Sequence, residues 1–255
     1  MELVDSHCHV HDKQYNWPDD VLKRSFENGV KKIITAGTSV DDSRAAIEFA
    51  SEYDGVYATV GIHPGEDISS IAEEVAGIAN IIDASDRKKL IGLGDIGLDY
   101  HYKPYNRAQQ IKLLENQLDL AQKHDLPISF HIRDAYEDFW PIFDNFKALR
   151  GTLHCFTDNL QNMKKALSRD LYISVNGIAT FNKDEKLNEV FDQLPSEKLL
   201  FETDAPYLSP NPFRGKTNQP AYIFNICEFW AKSHNLDTEE VAKISRQNVV
   251  DLFGI

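Results

Sequence analysis

Six residues with metal-binding side chains, His7, His9, Asp95, His131, His154 and Asp204, stand at or near the C-terminal ends of five separate apolar, strand-like segments. Imidazole and carboxylate are donors that divalent metals take readily. In a closed parallel barrel all strand C-termini open on one face, so residues far apart in sequence converge there on one or two ions. The chemistry to expect is metal-assisted hydrolysis: a water acidified by the cations attacks, and the cations neutralise charge on the electrophile. A lone His-x-His or a single strand-end histidine is a weak signal. The concurrence carries weight, because buried ionisable groups are costly unless paired or metal-bound.

Alternation along a strand sorts these side chains. Asp5, His7 and His9 share one face and Ser6 and Cys8 the other. Both histidines then point inward, Cys8 points toward the helix layer, and Asp5, deeper on the histidine face, is expected to orient a histidine ring as a hydrogen-bond acceptor. Cys155 directly follows His154 and is excluded as a ligand by the same parity. Asp204, ending the last strand, is placed to take or relay the proton of the attacking water. His63 ends a strand in GIHPG, on the catalytic face, and is expected to touch substrate and to act in catalysis with Asp204. His11, His101, His124 and His234 fall in loops or near helix ends and read as residues without a part in the chemistry, His124 favouring a helix C-terminus.

The elements that must position these residues are legible as eight apolar runs at 3–9, 31–37, 56–63, 90–99, 127–133, 151–156, 171–177 and 198–204. Between them lie amphipathic stretches such as 44–53 and 107–124, with apolar residues every three or four positions. Near-continuous strand hydrophobicity with intervening helices is the parallel-sheet pattern, and eight such units close a TIM (β/α)8 barrel. After the eighth run comes the proline-rich loop 205–220, then two closing helices, the second ending at Phe253-Gly254. No linker or repeat divides the chain, so residues 1–255 are expected to form one α/β domain.

Composition narrows the function classes. A net charge of −13 argues against a protein that coats nucleic acid or an anionic membrane. No apolar run reaches membrane-spanning length and the start lacks a signal-peptide pattern, while three cysteines without CxxC suit a reducing compartment; a cytoplasmic protein is expected. Basic residues nevertheless gather on the expected catalytic face: Lys103 and Arg107 after the fourth strand, Arg133 after the fifth, Arg214 and Lys216 after the eighth. Arg133 and Arg214 are the expected substrate contacts, since guanidinium binds phosphate bidentately. Tyr100 and Tyr102 could stack on bases, whereas Phe156 reads as core.

At these residues the chain resembles the TatD family of metal-dependent deoxyribonucleases, within the amidohydrolase superfamily. The resemblance rests on DSHCH, VGIHP, GLGDIGLD, FHIRDA, LHCFT, ETDAPYLSP and RGKTNQP, which follow the family's order across residues 3 to 253. It implies a TIM barrel with two divalent metal ions (Mg, Mn or Zn) acting on phosphodiesters, with single-stranded DNA digested 3′ to 5′. On this chain His7, His9 and Asp204 would then bind one metal, His131 and His154 the other, and Asp95 would bridge them. The family motif usually reads GExGLD, so Asp95 stands where glutamate is normal and is shorter by one carbon–carbon bond of ~1.5 Å. The resemblance therefore also admits a weakened enzyme. The residues alone leave open an amide or ester hydrolase of the same superfamily, such as an aminoacyl-tRNA deacylase, because the same attacking water serves a carbonyl.

Overall fold

The computed structural model describes all 255 residues, Met1–Ile255. Strands and helices alternate: β1 (Leu3–Cys8), α1 (Pro18–Glu27), β2 (Val30–Ala36), α2 (Val40–Glu52), β3 (Val56–Val60), α3 (Ile71–Ala84), β4 (Leu90–Asp99) and α4 (Arg107–His124). The series continues with β5 (Ile128–Arg133), α5 (Tyr136–Phe143), β6 (Gly151–Leu153), α6 (Leu160–Leu167), β7 (Tyr172–Val175), α7 (Glu185–Asp192) and β8 (Leu199–Phe201), and ends with α8 (Ile223–Ser233) and α9 (Thr238–Phe253). All eight strands belong to one sheet in the order β1 to β8. This is the (β/α)8 barrel expected from the sequence.

The chain forms two compact units, Met1–Thr35 with His154–Ile255, and Ala36–Leu153. In the first, β1 pairs in parallel with β2, and β7 with β8. Strand β1 also meets β8. Phe201 O accepts from Ser6 Oγ at 2.9 Å, and beyond the strand end Asp204 N–H donates to His7 O at 3.0 Å and His9 N–H to Ala205 O at 2.7 Å. The unit's core is Ile33, Ile173, Leu199, Leu200 and Phe201, with Trp230 of α8 and Val249 of α9 buried beside it. Side chains of α9 complete the strand end: Ser245 Oγ accepts from Phe201 N–H and Asn248 Nδ2 donates to Leu199 O. Helix α9 starts on an Asp237 cap and stops at Gly254, whose φ of 75° is the left-handed conformation that glycine adopts without strain.

In the second unit β4 lies between β3 and β5, and β5 pairs on with β6, all in parallel. All ten residues of β4 are buried, which is why its sequence reads as an unbroken apolar run with one acid in the middle and one at the end. The strand bears glycines because β5 runs close by: a Cβ on Gly97 would collide with the carbonyl of His131. Two buried glutamines of α4 stand in for missing ladder bonds. Gln117 bonds both backbone groups of Ile62, and Gln110 both backbone groups of Asp99. Each fixes the end of a strand that carries a candidate site residue.

Candidate metal centre

In the first unit the candidate ligands gather where β1 and β8 end. The backbone bond from Asp204 to His7 brings Asp204 Oδ1 to 3.6 Å from His9 Nε2 and 3.9 Å from His7 Nε2. Asp204 has φ of 55°, so the chain turns out of the strand there and leaves the carboxylate half-buried. The rings of His7 and His154 stack at 4.0 Å and 16°, and His9 meets His7 edge-on at 5.1 Å. His7, His154 and Glu202 each offer one ligand atom, all within 4.8 Å of one another.

Glu202 is absent from the residues expected on sequence grounds. It is fully buried; its Oε1 accepts from Cys155 N–H at 2.7 Å and Asn176 Nδ2 at 3.2 Å and lies 3.3 Å from His154 Nδ1. Its Oε2 is buried with no hydrogen-bond partner. A carboxylate oxygen left like this is costly unless a cation is near. The donor set therefore fits a divalent metal ion.

Asp5 departs from its expected role. Its oxygens accept from Thr203 N–H at 2.9 Å, Thr203 Oγ1 at 2.5 Å and His7 N–H at 3.4 Å, not from a histidine ring. The reason is depth: Asp5 sits within the strand pair, where backbone and hydroxyl donors of β8's end reach it first. Burial pushes its carboxyl well above the ordinary range, against the Thr203 bonds. It braces the backbone on which His7 and Asp204 stand.

In the second unit His63, Asp95 and His131 likewise offer ligand atoms within 4.8 Å of one another. His63 N–H donates to Thr38 O, its Nδ1 accepts from Gly65 N–H at 3.0 Å, and its ring meets that of His131 edge-on at 4.4 Å. A neutral ring that accepts at Nδ1 carries its proton on Nε2. Asp95 is buried, its N–H bonded to Gly37 O and its Oδ1 4.0 Å from His131 Nδ1. The other ring nitrogen of His131, Nε2, lies 3.0 Å from Asp99 Oδ2, and Asp99 Oδ1 accepts from His101 N–H. His63, expected to touch substrate and to act in catalysis, thus stands beside two candidate metal ligands.

The rim residues have partners of their own. Arg133 is half-buried, its guanidinium 5.1 Å above the Tyr102 ring. Tyr100 and Tyr105 stack at 4.7 Å, and Tyr100 Oη donates to Asp138 Oδ2. Exposed Arg214 lies 3.7 Å over the Phe181 ring and donates to Ser209 O. Phe156 is core, as expected. His234 stacks on Trp230 at the end of α8, and His124 ends α4 near Asp83, in keeping with helix-end roles. No helix is long and apolar enough to cross a membrane.

Comparison with known proteins agrees with the geometry. Residues 4–254 match the family model for TatD related DNase. The chain is 35% identical to the metal-dependent hydrolase YabD of Bacillus subtilis (strain 168) over 99% of both proteins. It is 34% identical to the 3'-5' ssDNA/RNA exonuclease TatD of Salmonella typhimurium over 93% of both. The crystal structure of YJJV, a TatD homologue from Escherichia coli K12, superposes with a TM-score of 0.92 at 27% identity, covering 99% of this chain and 98% of that one.

Proposed function

The chain belongs to the TatD-related DNase family and is a metal-dependent hydrolase of ester bonds, and from that premise we propose that it cleaves phosphodiester bonds at the 3′ end of single-stranded DNA. The observation that supports this most is the concentration of ligand-type side chains: in each of two groups, His7–His154–Glu202 and His63–Asp95–His131, three such atoms lie within 4.8 Å of one another. Two divalent cations per chain are the expected complement, with His9 and Asp204 joining the first cluster. When bound, such cations acidify water and neutralise phosphoryl charge.

The protein's own groups do the rest. Asp204, half-buried at the end of β8, accepts the proton of the attacking water; its contact with His9 holds the carboxylate in place. His63, with its Nδ1 taken by Gly65 N–H and its proton on Nε2, is a hydrogen-bond donor to a phosphoryl oxygen or to the leaving oxygen, and leaves the cation of its cluster to Asp95 and His131. Arg133 and Arg214 bind phosphates of the strand, and the face of Tyr102 turned away from Arg133 takes a base. The polarity of digestion is carried over from the activity in the name of the Salmonella relative.

The test is a substrate panel of single-stranded DNA, duplex DNA, RNA, an aminoacyl ester and a cyclic amide, each with Mg²⁺, Mn²⁺ and Zn²⁺. Release of mononucleotides from the 3′ end of single-stranded DNA, abolished by chelation and restored by metal, is the expected outcome. Hydrolysis of the carbonyl substrates alone, or nuclease activity that survives exhaustive metal removal, overturns it.

A further inference from the structure

Glu202 is held in a way that packing alone does not account for. It is fully buried, its Oε1 lies 3.3 Å from His154 Nδ1, and two separate devices aim that oxygen. Cys155, next to His154, adopts φ of 49°, a left-handed conformation unfavourable for a residue with a Cβ, and in that conformation its N–H meets Glu202 at 2.7 Å. Asn176, just past β7, caps the following 3-10 turn with Oδ1, accepting from Ile178 N–H, and so turns Nδ2 to Glu202 at 3.2 Å. Both donors bind Oε1, and they leave that same oxygen 3.3 Å from His154 Nδ1, close to that nitrogen but not hydrogen-bonded to it, with Oε2 buried and unbonded.

A carboxylate without a cationic side chain beside it costs free energy in such a place unless a positive charge is supplied. A histidine between carboxylate and metal supplies it: the carboxylate holds one ring N–H, the ring's other nitrogen ligates, and the cation's charge reaches the carboxylate through the imidazole. We propose that Glu202 is the positioning residue for His154, holding the proton on Nδ1 so that Nε2 is the nitrogen presented to a metal ion. The inference rests on the reading that the His7–His154 cluster binds a divalent cation.

The test compares wild type with Glu202→Gln, whose amide oxygen keeps accepting from Cys155 and Asn176. Titration of the metal-free proteins with Zn²⁺ and with Mn²⁺ gives affinity and stoichiometry. Thermal denaturation of the metal-free proteins gives stability, and ¹⁵N chemical shifts of the His154 ring give its tautomer. Expected are a ~10- to 100-fold weaker cation affinity in the variant, a metal-free Tm equal to or above that of wild type because a buried charge is gone, and an Nδ1-protonated ring in wild type that becomes a tautomer mixture in the variant. A lower metal-free Tm with unchanged affinity makes Glu202 a loop brace and overturns the proposal. So does an Nε2-protonated His154 in metal-free wild type, a result that does not depend on how the variant folds. Wild type that binds neither cation defeats the underlying metal reading instead.

Discussion

Asp99 Oδ2 and His131 Nε2 meet at 3.0 Å, although 32 positions separate them, while His131 Nδ1 faces Asp95. The two nitrogens of one ring thus have different duties. Burial raises the Asp99 carboxyl, but the His131 bond, the His101 N–H and the charges of His131 and Arg133 outweigh it and hold Asp99 below the ordinary carboxylate range. We expect Asp99→Asn to weaken divalent-cation binding at the His63–Asp95–His131 cluster by ~10- to 100-fold, the effect of losing a carboxylate that orients a ligating histidine. Calorimetric titration with Mn²⁺ checks it. Unchanged affinity would reduce Asp99 to a cap on the backbone of His101.

The Arg107–Asp138 pair yields a pH prediction. Arg107 donates twice to Asp138, and Tyr100 Oη donates once. The Arg107 bonds, against a smaller effect of burial and with help from Tyr100, hold the Asp138 carboxyl below its ordinary value. A carboxyl that binds its proton less readily folded than unfolded adds stability above the unfolded-state value and loses it as pH falls through the folded-state value. Wild type is therefore expected to lose stability more steeply than Asp138→Asn from roughly pH 4 downward. Because Arg107 is exposed, added salt should shrink the difference. Urea unfolding at stepped pH and two ionic strengths measures both effects.

The sequence reading and the structure part company where strands end. The reading of 90–99 as one strand coincides with β4, because ten buried residues leave a continuous apolar signal. The runs 151–156 and 198–204 are longer than β6 and β8, which stop at Leu153 and Phe201. Beyond those points Cys155 and Asp204 take left-handed φ values that nothing in their residue types announces. The six metal-ligand candidates were legible because histidine and aspartate are conspicuous inside apolar runs. Glu202 and Asp99 carry the same signal in weaker form. Alternation puts Glu202 on the face of Asp204 and Asp99 on the face of Asp95, the argument that pairs His7 with His9. What no pattern encodes is the grouping. His154 stacks on His7 beside Glu202, a contact between segments far apart in the chain, and His131 stands with His63 and Asp95 across the neighbouring strands β3, β4 and β5.

Arg214 is held in place before any substrate arrives. Stacking on Phe181 and the bond to Ser209 O fix the guanidinium, so a phosphate that meets it finds a cation already ordered. Arg214→Ala is expected to raise KM for single-stranded DNA with little change in kcat or metal content. It should also lower the slope of log affinity against log salt by ~0.7, the value of one phosphate contact on a single strand. Filter binding on a catalytically silent Asp204→Asn background, at several salt concentrations, isolates the contact. Equal slopes with and without Arg214 would leave it a packing residue of the loop.

Asp95→Glu tests whether the short acid limits the second cluster. Ligands at ~2.1 Å in tetrahedral array lie ~3.4 Å from each other, yet Asp95 Oδ1 and His131 Nδ1 are 4.0 Å apart. The shortfall is about half an ångström, and one methylene adds up to ~1.5 Å of reach. Glutamate is also what the GExGLD pattern carries. The position is buried against tightly packed strands, so the extra carbon should cost the metal-free protein ~1–3 kcal/mol through overpacking. The expected signature is therefore a pair of opposite changes: a lower Tm without metal, and tighter Mn²⁺ binding with faster DNA hydrolysis when metal is present. Calorimetry and denaturation on the same samples read both. A variant that is less stable and binds metal no better would show that Asp95 already reaches its ion and that the cluster closes around it on loading.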